Sequence, residues 1–529
     1  MTTVVAADTD APGRRRRTGL PPWQLLGPTV VVALVSLAPV WYLIDRALDR
    51  GWGAAVDELA QRRTLDLVVR STALAGFVTV ATVVVGTAAA WIVARSDLPG
   101  RRVLRVAFAM PLAVPSYLAA FAWVAWNPSI AGFWGAALVL VATTYPYVYL
   151  PVVAALGRID PAQEEIARSL GWGEGRIALG LTLRQARPSV LAGALLVAQY
   201  AYMDFGAVAT MRYEAFTWVV YGAYRAGFNP TRAALLSVVL VAVSVVLVTA
   251  EGAARGRVDA ARVGGGVARR GRPVHLGRAG VPAAVFVTVV LGAALVFPVF
   301  SVVSWSLWRG GAGVSFGEVF SALWATVGVA AVAAVVTAVA ALPVGLLAAR
   351  FRSGLARRLE QATYVAHTLP GIVLGISMVY VGVRLLRPVY QELPLLALAY
   401  VVAFLPLLVG SVRAAVEAVP ERLEDIARSL GTSRSGAWWR VTIPAARSGI
   451  AAGTALVFLA TMKELPITLL LRPTGTETLA TRLWGHTTVS DYAAAAPFAL
   501  TLLVVAAVPT ALLSGLLLVR GREDGGHVG

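Results

Sequence analysis

The sequence has no cysteine and a single lysine among its 529 residues. Without cysteine there is no disulfide, no thiolate metal site and no thiol nucleophile. The lysine, Lys463, stands between Met462 and Glu464, whereas a phosphate-binding P-loop needs Gly-Lys-Ser/Thr. The four histidines are scattered along the chain, with no pair at metal-binding spacing. These absences exclude ATP hydrolysis through a P-loop and argue against a metalloenzyme.

Charged residues are also scarce. They make up 14% of the chain, against 58% hydrophobic residues, and the mean hydropathy is +0.73. Soluble domains carry roughly 25% charged residues. The net charge of +18 would suggest nucleic acid in a soluble protein, but in so apolar a chain it is typical of cytoplasmic loops that face anionic lipid. The composition therefore predicts a membrane protein with lipid as a partner and no nucleic acid.

Apolar stretches long enough to cross a bilayer, about 20 residues each, recur along the chain. We number them as spans 1 to 12, and they lie at 23–45, 67–94, 104–126, 132–156, 189–211, 232–250, 279–305, 322–349, 363–385, 392–412, 449–471 and 493–519. Pro115, Pro343 and Pro370 lie within spans and predict kinks or breaks. The predicted fold class is an all-α polytopic membrane protein with about 12 transmembrane helices.

Arginine placement predicts the orientation of these spans. With the N-terminus inside, and with Arg105 and Arg384 at span ends counted with the adjoining segments, the cytoplasmic segments hold 32 arginines and the outer segments hold 11. Positive charge concentrates on the cytoplasmic side. Both termini are therefore expected in the cytoplasm. The predicted division is a tail at 1–22, a first half at 23–250 with a loop at 158–188, a linker at 251–278, a second half at 279–520 with a loop at 417–448, and a tail at 521–529. A small ordered domain is the alternative for the Gly/Arg-rich linker.

One segment recurs 260 residues further along the chain. Residues 164–171 read Glu-Glu-Ile-Ala-Arg-Ser-Leu-Gly, and residues 424–431 read Glu-Asp-Ile-Ala-Arg-Ser-Leu-Gly. The match continues without gaps to Gly193 and Gly453, which indicates duplication of a six-span unit. Because each half crosses the membrane an even number of times, the two repeats have the same orientation.

Both copies of this segment fall in the loop between the fourth and fifth spans of their half, on the arginine-rich side. Ile166, Ala167 and Leu170 lie on one face of a predicted short helix, and Gly171 suits the left-handed residue that ends a helix. A small apolar face presented twice favours docking onto two copies of a partner. The alternative is an amphipathic helix lying on the lipid surface.

The repeated segment resembles the EAA loop of permease subunits of binding-protein-dependent ABC importers, which reads Glu-Ala-Ala-x3-Gly and, nine residues later, Ile-x-Leu-Pro. Here Ile replaces the first Ala in both copies, Asp425 replaces Glu in the second copy, and Arg184 replaces Pro in the first. Residues 463–473 (Lys-Glu-Leu-Pro-Ile-Thr-Leu-Leu-Leu-Arg-Pro) resemble the fused, twelve-span permeases for ferric iron. The ATPase-docking residues implied by the resemblance are Glu165, Ile166, Ala167, Leu170, Gly171, Asp425, Ile426, Ala427, Leu430 and Gly431.

The resemblance implies a transport subunit and not an enzyme. An extracytoplasmic binding protein would deliver the substrate, expected to be ferric iron. Two ATP-binding cassette ATPase subunits would hold ATP-Mg and dock on the two loops, while this chain would bind no cofactor. The expected location is the bacterial cytoplasmic membrane.

The candidates for the translocation path or gate are Asp204, Lys463, Glu464 and Pro466. Asp204 and Glu464 occupy equivalent places in the fifth span of each half, where a charge is costly unless it faces a cavity or a partner. Together with Tyr200 and Tyr202 they offer hard oxygen atoms to a ferric ion. A structural role, with Lys463 neutralising Glu464 across a helix break at Pro466, is favoured over iron ligation, so no metal ligand is assigned.

Two alternatives stay open at this point. Fused permeases for thiamine or another small solute share the same architecture. A gradient-driven secondary transporter could also have twelve spans, with Asp204 as its proton site. The paired loop favours the ABC permease, because a gradient-driven carrier has no need of two identical docking helices.

Overall fold

The computed structural model describes residues 21–49, 51–157, 159, 161–225, 229–259, 274–308, 314–351, 353–365 and 369–523. Across these ranges the chain is almost entirely helical, and its one strand-like feature is an isolated bridge between Ser96 and Val274. The all-helical class predicted from the sequence is confirmed. The predicted tail residues 1–20 and 524–529, and residues 260–273 of the predicted linker, lie outside the described residues.

The helices follow one another with short connections. In the first half they are Trp23–Ala47, Gly51–Leu59, Arg62–Arg95, Arg101–Ala107, Ser116–Trp126, Phe133–Thr144, Pro146–Leu156, Pro161–Ser169, Glu174–Ile177, Leu183–Met203, Gly206–Thr210, Phe216–Arg225 and Pro230–Asp259. In the second half they are Gly280–Leu291, Phe297–Trp308, Phe316–Arg350, Gly354–Val365, Gly371–Arg384, Leu393–Glu417, Glu421–Ser429, Arg434–Ala437, Ile443–Lys463, Pro466–Leu471, Leu479–Thr488 and Tyr492–Glu523. Short 3₁₀ or π turns join several of them.

These helices correspond in position to the twelve predicted spans. In the described part of the chain, eight segments are long and apolar enough to cross a membrane: Trp23–Ala47, Arg62–Arg95, Phe133–Leu156, Gly277–Leu307, Phe316–Arg350, Leu393–Glu417, Arg434–Lys463 and Tyr492–Ala511. A bent pair, Arg101–Ala113 with Ser116–Trp126, and two shorter apolar helices, Thr231–Leu247 and Gly371–Arg384, match three more. The twelfth, span 5, is represented by the 21-residue helix Leu183–Met203.

Proline breaks the third span of each half, as the sequence predicts. The two parts of span 3 meet at 89°, with Pro115 extended at φ −62° and ψ 143°. Pro370 has nearly the same conformation at the start of Gly371–Arg384. By contrast, Pro343 lies inside the uninterrupted helix Phe316–Arg350, so no break occurs there.

The fifth span of each half is shorter than predicted. The first-half helix ends at Met203 and a five-residue helix restarts at Gly206. The second-half helix ends at Lys463 and restarts at Pro466. The predicted spans 189–211 and 449–471 are therefore each two helices, because an acidic residue interrupts the helical ladder; the break before Pro466 is the one considered from the sequence, and the break at Asp204 is not.

Glycines allow close helix packing in equivalent places of the two halves. A Cβ atom on Gly193 would lie 2.9 Å from the Cα of Val148, which brings spans 4 and 5 into near backbone contact. A Cβ atom on Gly453 would lie 2.6 Å from the side chains of Leu408 and Ser411, on span 10. Small residues at helix contacts are how membrane helices approach closely enough for dispersion forces to hold them.

The contacts divide the chain into two units, one made of residues 1–38, 333–367 and 400–458, and the other of 39–332, 368–399 and 459–529. The first unit has an apolar core that includes Leu408, Val412 and Trp438. In the second unit, Tyr145 and Tyr149 are fully buried against Phe108, with ring centroids 6.1 and 5.5 Å away. This tyrosine pair is therefore part of the packing.

The boundaries of the predicted linker differ from those seen. The helix Pro230–Asp259 extends nine residues beyond the predicted end of the first half at 250. At the far end, the Val274 amide donates to the Arg95 carbonyl at 2.7 Å, and the Asp97 amide donates to the Val274 carbonyl at 3.2 Å. The last linker residues are thus attached to the end of span 2. The final helix likewise continues to Glu523, beyond the predicted boundary at 520.

Candidate functional site

Both copies of the repeated segment form a nine-residue helix. The first loop helix is Pro161–Ser169 and the second loop helix is Glu421–Ser429. Each has a proline at its start, at Pro161 and Pro420, where a missing amide hydrogen is tolerated. Beyond each helix the chain turns at a glycine with positive φ, +80° at Gly171 and +87° at Gly431. These are the left-handed positions that the sequence predicts.

The apolar side chains of the loop helices are divided between protein and solvent. Ile166 and Leu170 are 60% and 72% exposed, and Ile426 and Leu430 are 55% and 81% exposed. Ala167 is buried and its counterpart in the second helix is half-buried. Since Ile and Leu four residues apart lie on one face, each loop presents an exposed apolar pair, and in the second loop helix Leu423, 43% exposed, lies three residues before Ile426. Glu165 and Asp425, predicted docking residues, are exposed as well.

A buried ion pair fixes the second loop helix to the spans around it. Glu424 accepts hydrogen bonds from Nε of Arg350 at 2.8 Å and from Oγ1 of Thr442 at 2.9 Å. Arg350 also donates from Nη2 to the carbonyl of Val419 at 3.0 Å. We call Arg350, Glu424 and Thr442 the second clamp. It joins the last residue of the helix Phe316–Arg350, the loop helix and the residue that precedes the helix Ile443–Lys463.

The first half has the same arrangement. Nη1 of Arg95 lies 3.2 Å from Oε1 of Glu164, which also accepts a hydrogen bond from Oγ1 of Thr182 at 3.1 Å. Nη2 of Arg95 donates to the carbonyl of Leu156 at 3.0 Å. We call Arg95, Glu164 and Thr182 the first clamp. Its arginine is again the last residue of a long helix, here span 2.

The clamps are functional candidates that sequence reasoning missed. The resemblance directs attention to Glu165 and Asp425, but the buried carboxylates belong to the residues before them. A signal was present, because position 164/424 is glutamate in both copies, whereas position 165/425 changes to aspartate. Thr182 and Thr442 are identical too. The partner arginines lie outside the repeated segment, so only the structure connects them.

The two loop helices differ in their exposed charges. Arg168 donates from Nε to Oε1 of Glu174 at 2.7 Å, and this bond lowers the pKa of Glu174 and raises that of Arg168. In the second copy Arg428 lies 3.6 Å from Asp425 on its own helix. The first loop helix is therefore tied to the turn that follows it, and the exposed surfaces of the two loop helices are not identical.

Asp204, a predicted residue of the translocation path, lies in the break of span 5 and bonds the segments on either side of it. Its Oδ1 accepts from the amide of Ala207 at 2.8 Å and its Oδ2 from the hydroxyl of Ser116 at 2.5 Å. Ser116 is the first residue of the second part of span 3. Asp204 therefore caps one short helix and holds the start of another. Of the two predicted tyrosine neighbours, Tyr200 faces Tyr147 at 5.6 Å between ring centroids, whereas Tyr202 is bonded to Thr72.

Glu464 performs the equivalent role in the second half. Its carboxylate accepts from the amides of Ile467 at 3.0 Å and Thr468 at 3.1 Å, at the start of the short helix that begins with Pro466. A Cβ atom on Gly371, the first residue after the break in span 9, would lie only 2.9 Å from Oε1 of Glu464. Each half thus has a carboxylate between the break of its fifth span and the break of its third.

Lys463 does not neutralise Glu464, contrary to the structural alternative drawn from the sequence. Its Nζ donates to the carbonyl of Leu112 at 2.6 Å, beside the break in span 3, while the Glu464 carboxylate is turned to backbone amides. The reason is that Glu464 follows the last residue of its helix and turns its carboxylate to the amides at the start of the next helix. Lys463 and Glu464 are both partly accessible to solvent.

In the described residues, long apolar helices recur in two repeated halves, and each half has a short exposed helix before its fifth span; this arrangement defines a multi-pass membrane permease. The chain belongs to the family described as binding-protein-dependent transport system inner membrane component, whose model matches residues 82–255 and 341–519. Members are permease subunits of ABC transporters and not enzymes, and the ATPase activity lies on partner subunits. The family also implies a substrate-binding protein.

The chain is similar to several curated permeases. It is 31% identical to a Fe(3+)-transport system permease protein of Haemophilus influenzae over 500 residues, which cover 93% of this chain and 98% of the relative. It is 32% identical to the molybdenum transport system permease protein of Mycobacterium tuberculosis, over 36% of this chain and 76% of the relative. It is 26% identical to a sulfate transport system permease protein of Escherichia coli, over 36% of this chain and 70% of the relative.

Proposed function

We propose that this permease imports ferric iron delivered by an extracytoplasmic binding protein. The observation that carries the proposal is the similarity to the Fe(3+) permease, which extends over 93% of the chain and includes both halves. The similarities to molybdenum and sulfate permeases extend over 36% of the chain. The iron relative therefore matches both halves of this chain, and the match covers nearly the whole length of each protein.

Two ATPase subunits dock on the loop helices in this proposal. The exposed pairs Ile166/Leu170 and Ile426/Leu430 support it, because each pair is small enough to remain in water yet suited to one groove of a partner. The partner subunits hold ATP-Mg, and this chain binds no cofactor. The loops lie on the cytoplasmic side, with both chain termini, since the arginine bias of 32 to 11 favours that orientation in a bacterial cytoplasmic membrane.

Asp204, Lys463, Glu464 and Pro466 form the gate region of the path in this proposal. The carboxylates of Asp204 and Glu464 accept hydrogen bonds from backbone amides and a serine hydroxyl. Carboxylates that are already hydrogen-bonded in this way are better suited to holding the broken helices together than to ligating a passing ion. A path must in any case bind its ion weakly enough to release it.

The proposal is tested by measuring radioactive iron and thiamine uptake in parallel. Cells lacking their own iron and thiamine importers would express the complete system with this permease or without it. Ferric iron uptake that depends on the permease, with thiamine uptake at background, supports the proposal. Thiamine uptake with no iron uptake would show that the chain is a thiamine permease and refute the proposal. Uptake that persists without ATPase subunits would favour the gradient-driven carrier.

A further inference from the structure

We propose that Arg95 and Arg350 are positioning residues that transmit motion of the loop helices to the membrane spans. The inference rests on the proposed docking of ATPase subunits on those helices. Each arginine holds a carboxylate of the loop helix, and that carboxylate holds a threonine at the start of the fifth span of its half. A displacement of the loop helix is thereby passed to two spans through one buried group.

The loop helices need such a connection because they are too short to be rigid by themselves. Isolated helices below about 12 residues are marginal in water, and each loop helix has nine residues. Their larger apolar side chains are turned to solvent, so packing supplies little attachment. The buried carboxylates of Glu164 and Glu424 are therefore the main attachments of the two helices.

A purely structural attachment would not require charge. Buried ion pairs are often replaceable by apolar side chains with no loss of stability, because desolvation offsets their attraction. An Arg–Glu–Thr set additionally fixes the orientation of the three side chains, because each hydrogen bond requires its donor to point at its acceptor. The set occurs in both halves with the arginine in the same role, bonded to the glutamate and to a carbonyl at 3.0 Å. Its recurrence in both halves favours a function that both halves share.

The fifth span connects the first clamp to the gate region. Thr182 lies at the end of a π-helical turn, and the helix Leu183–Met203 begins at the next residue. A helix of 21 residues is about 30 Å long, and this one ends directly before Asp204. In the second half, the helix Ile443–Lys463 follows Thr442 and ends directly before Glu464. In each half, one continuous helix thus begins next to the clamp threonine and ends next to the acidic residue that caps the following short helix.

The test compares transport with ATP hydrolysis in vesicles that contain the permease, its ATPase subunits and the binding protein loaded with radioactive ferric ion. Glu164→Gln with Glu424→Gln keeps side-chain shape but removes the charge from both clamps. The matched control is Glu360→Gln, which alters a close Arg–Glu pair, 2.6 Å from Arg413, that involves no loop helix. A second variant changes the four charged clamp residues, Arg95, Glu164, Arg350 and Glu424, to Gln, so that amide hydrogen bonds remain without an unpaired buried charge.

We expect the double variant to keep its ATPase subunits while iron transported per ATP hydrolysed falls at least fivefold. The control should stay within twofold of wild type, and the four-residue variant should recover at least half of the lost coupling. The inference would be overturned if iron transported per ATP hydrolysed stayed unchanged while transport and hydrolysis both fell in proportion to the yield of complex. The clamps would then serve folding alone. Loss of ATPase subunits from the wild-type complex would instead refute the docking proposal.

A distance measurement supplies a readout that does not depend on the substrate. Because the chain lacks cysteine, nitroxide labels can be placed at Ser169→Cys, the last residue of the first loop helix, and at Arg102→Cys on the helix Arg101–Ala107 that follows span 2, both exposed positions. The label distance should be narrow and equal with and without ATP, and it should broaden in Glu164→Gln. A narrow distance in that variant would contradict the inference.

Discussion

The Nε atom of Arg350 lies 2.8 Å from Oε1 of Glu424, and the two side chains are only 6% and 3% exposed. The corresponding pair in the first half, Arg95 and Glu164, is separated by 3.2 Å and is buried to a similar degree. Two loop helices that expose apolar side chains are therefore anchored by charge on their buried side. In the proposed docking, the exposed faces would contact the ATPase subunits while the buried carboxylates hold the helices to the spans.

Removing one member of a clamp should destabilise the protein. Glu424→Ala leaves the Arg350 guanidinium buried without its carboxylate, which costs about 3–5 kcal/mol. Replacing both residues together, with Arg350→Met and Glu424→Leu, should restore most of that stability. Thermal unfolding in detergent measures both variants. The control is Glu214→Ala, which removes an exposed partner of Arg70 and should cost no more than about 1 kcal/mol. Equal losses in Glu424→Ala and Glu214→Ala would contradict the buried assignment.

Replacing the exposed apolar pairs should release the ATPase subunits. Ile166→Ser with Leu170→Ser, combined with Ile426→Ser and Leu430→Ser, removes apolar area worth about 1.5–3 kcal/mol per side chain when fully buried in a partner. Binding should weaken by more than tenfold, measured by copurification over a range of ATPase concentrations. Leu179→Ser is the matched control, because Leu179 is 72% exposed in the following turn but lies outside the loop helix. Wild-type affinity in the four-residue variant would refute the docking surface.

A methyl group at Gly371 should impair transport without unfolding the protein. The new Cβ would lie 2.9 Å from Oε1 of Glu464, so this oxygen must shift away from the amide of Ile467, from which it accepts a hydrogen bond at 3.0 Å. We expect at least a fivefold loss of iron uptake at normal expression. Gly328→Ala serves as the control, since no atom lies within 4 Å of the position that its methyl group would take. Uptake by Gly371→Ala equal to that of Gly328→Ala would show that the Glu464 cap has no part in transport.

The end of the linker should stay attached to span 2 until the pH is well below neutral. The amide of Leu276 donates to Oδ1 of Asp97 at 3.1 Å and Nδ1 of His275 lies 2.8 Å from Oδ2; these contacts lower the pKa of Asp97. For an acid with a lowered pKa, the stabilisation is complete above the ordinary value, about 3.9 for Asp, and is lost as the pH falls through the lower folded value. Hydrogen exchange at the Leu276 amide should therefore remain slow at pH 5 and become fast at pH 5 in Asp97→Ala. Equal exchange in both proteins would contradict the attachment.

Much of the membrane architecture could be predicted because it depends on local composition. Apolar length predicted the spans, and Pro115 and Pro370 predicted two breaks, since proline removes a hydrogen bond wherever it stands within a helix. Pro343 carried the same signal without a break, because a helix can continue through proline when neighbouring packing supports it. Pro466 also indicated the break after Lys463, whereas the break after Met203 has no proline and was harder to predict, because Asp204 caps the next helix.

The contacts of the site were less predictable than its location. The repeat placed both loop helices and their terminal glycines correctly, because these features are encoded within a few residues. Arg95 is 69 residues from Glu164, and Arg350 is 74 residues from Glu424. Pairings at such separations depend on how the spans pack, so the sequence indicated the exposed Glu165 while the buried neighbour Glu164 remained unassigned.

Transport of ferric iron by this permease should depend on ATP hydrolysed by partner subunits. The decisive experiment reconstitutes the permease and ATPase subunits in vesicles, with ATP on the side of the ATPases and the iron-loaded binding protein on the other. We predict iron accumulation that requires both ATP and the binding protein and that is unaffected when a protonophore collapses the proton gradient. Accumulation that continues without ATP and stops with the protonophore would contradict the proposed function.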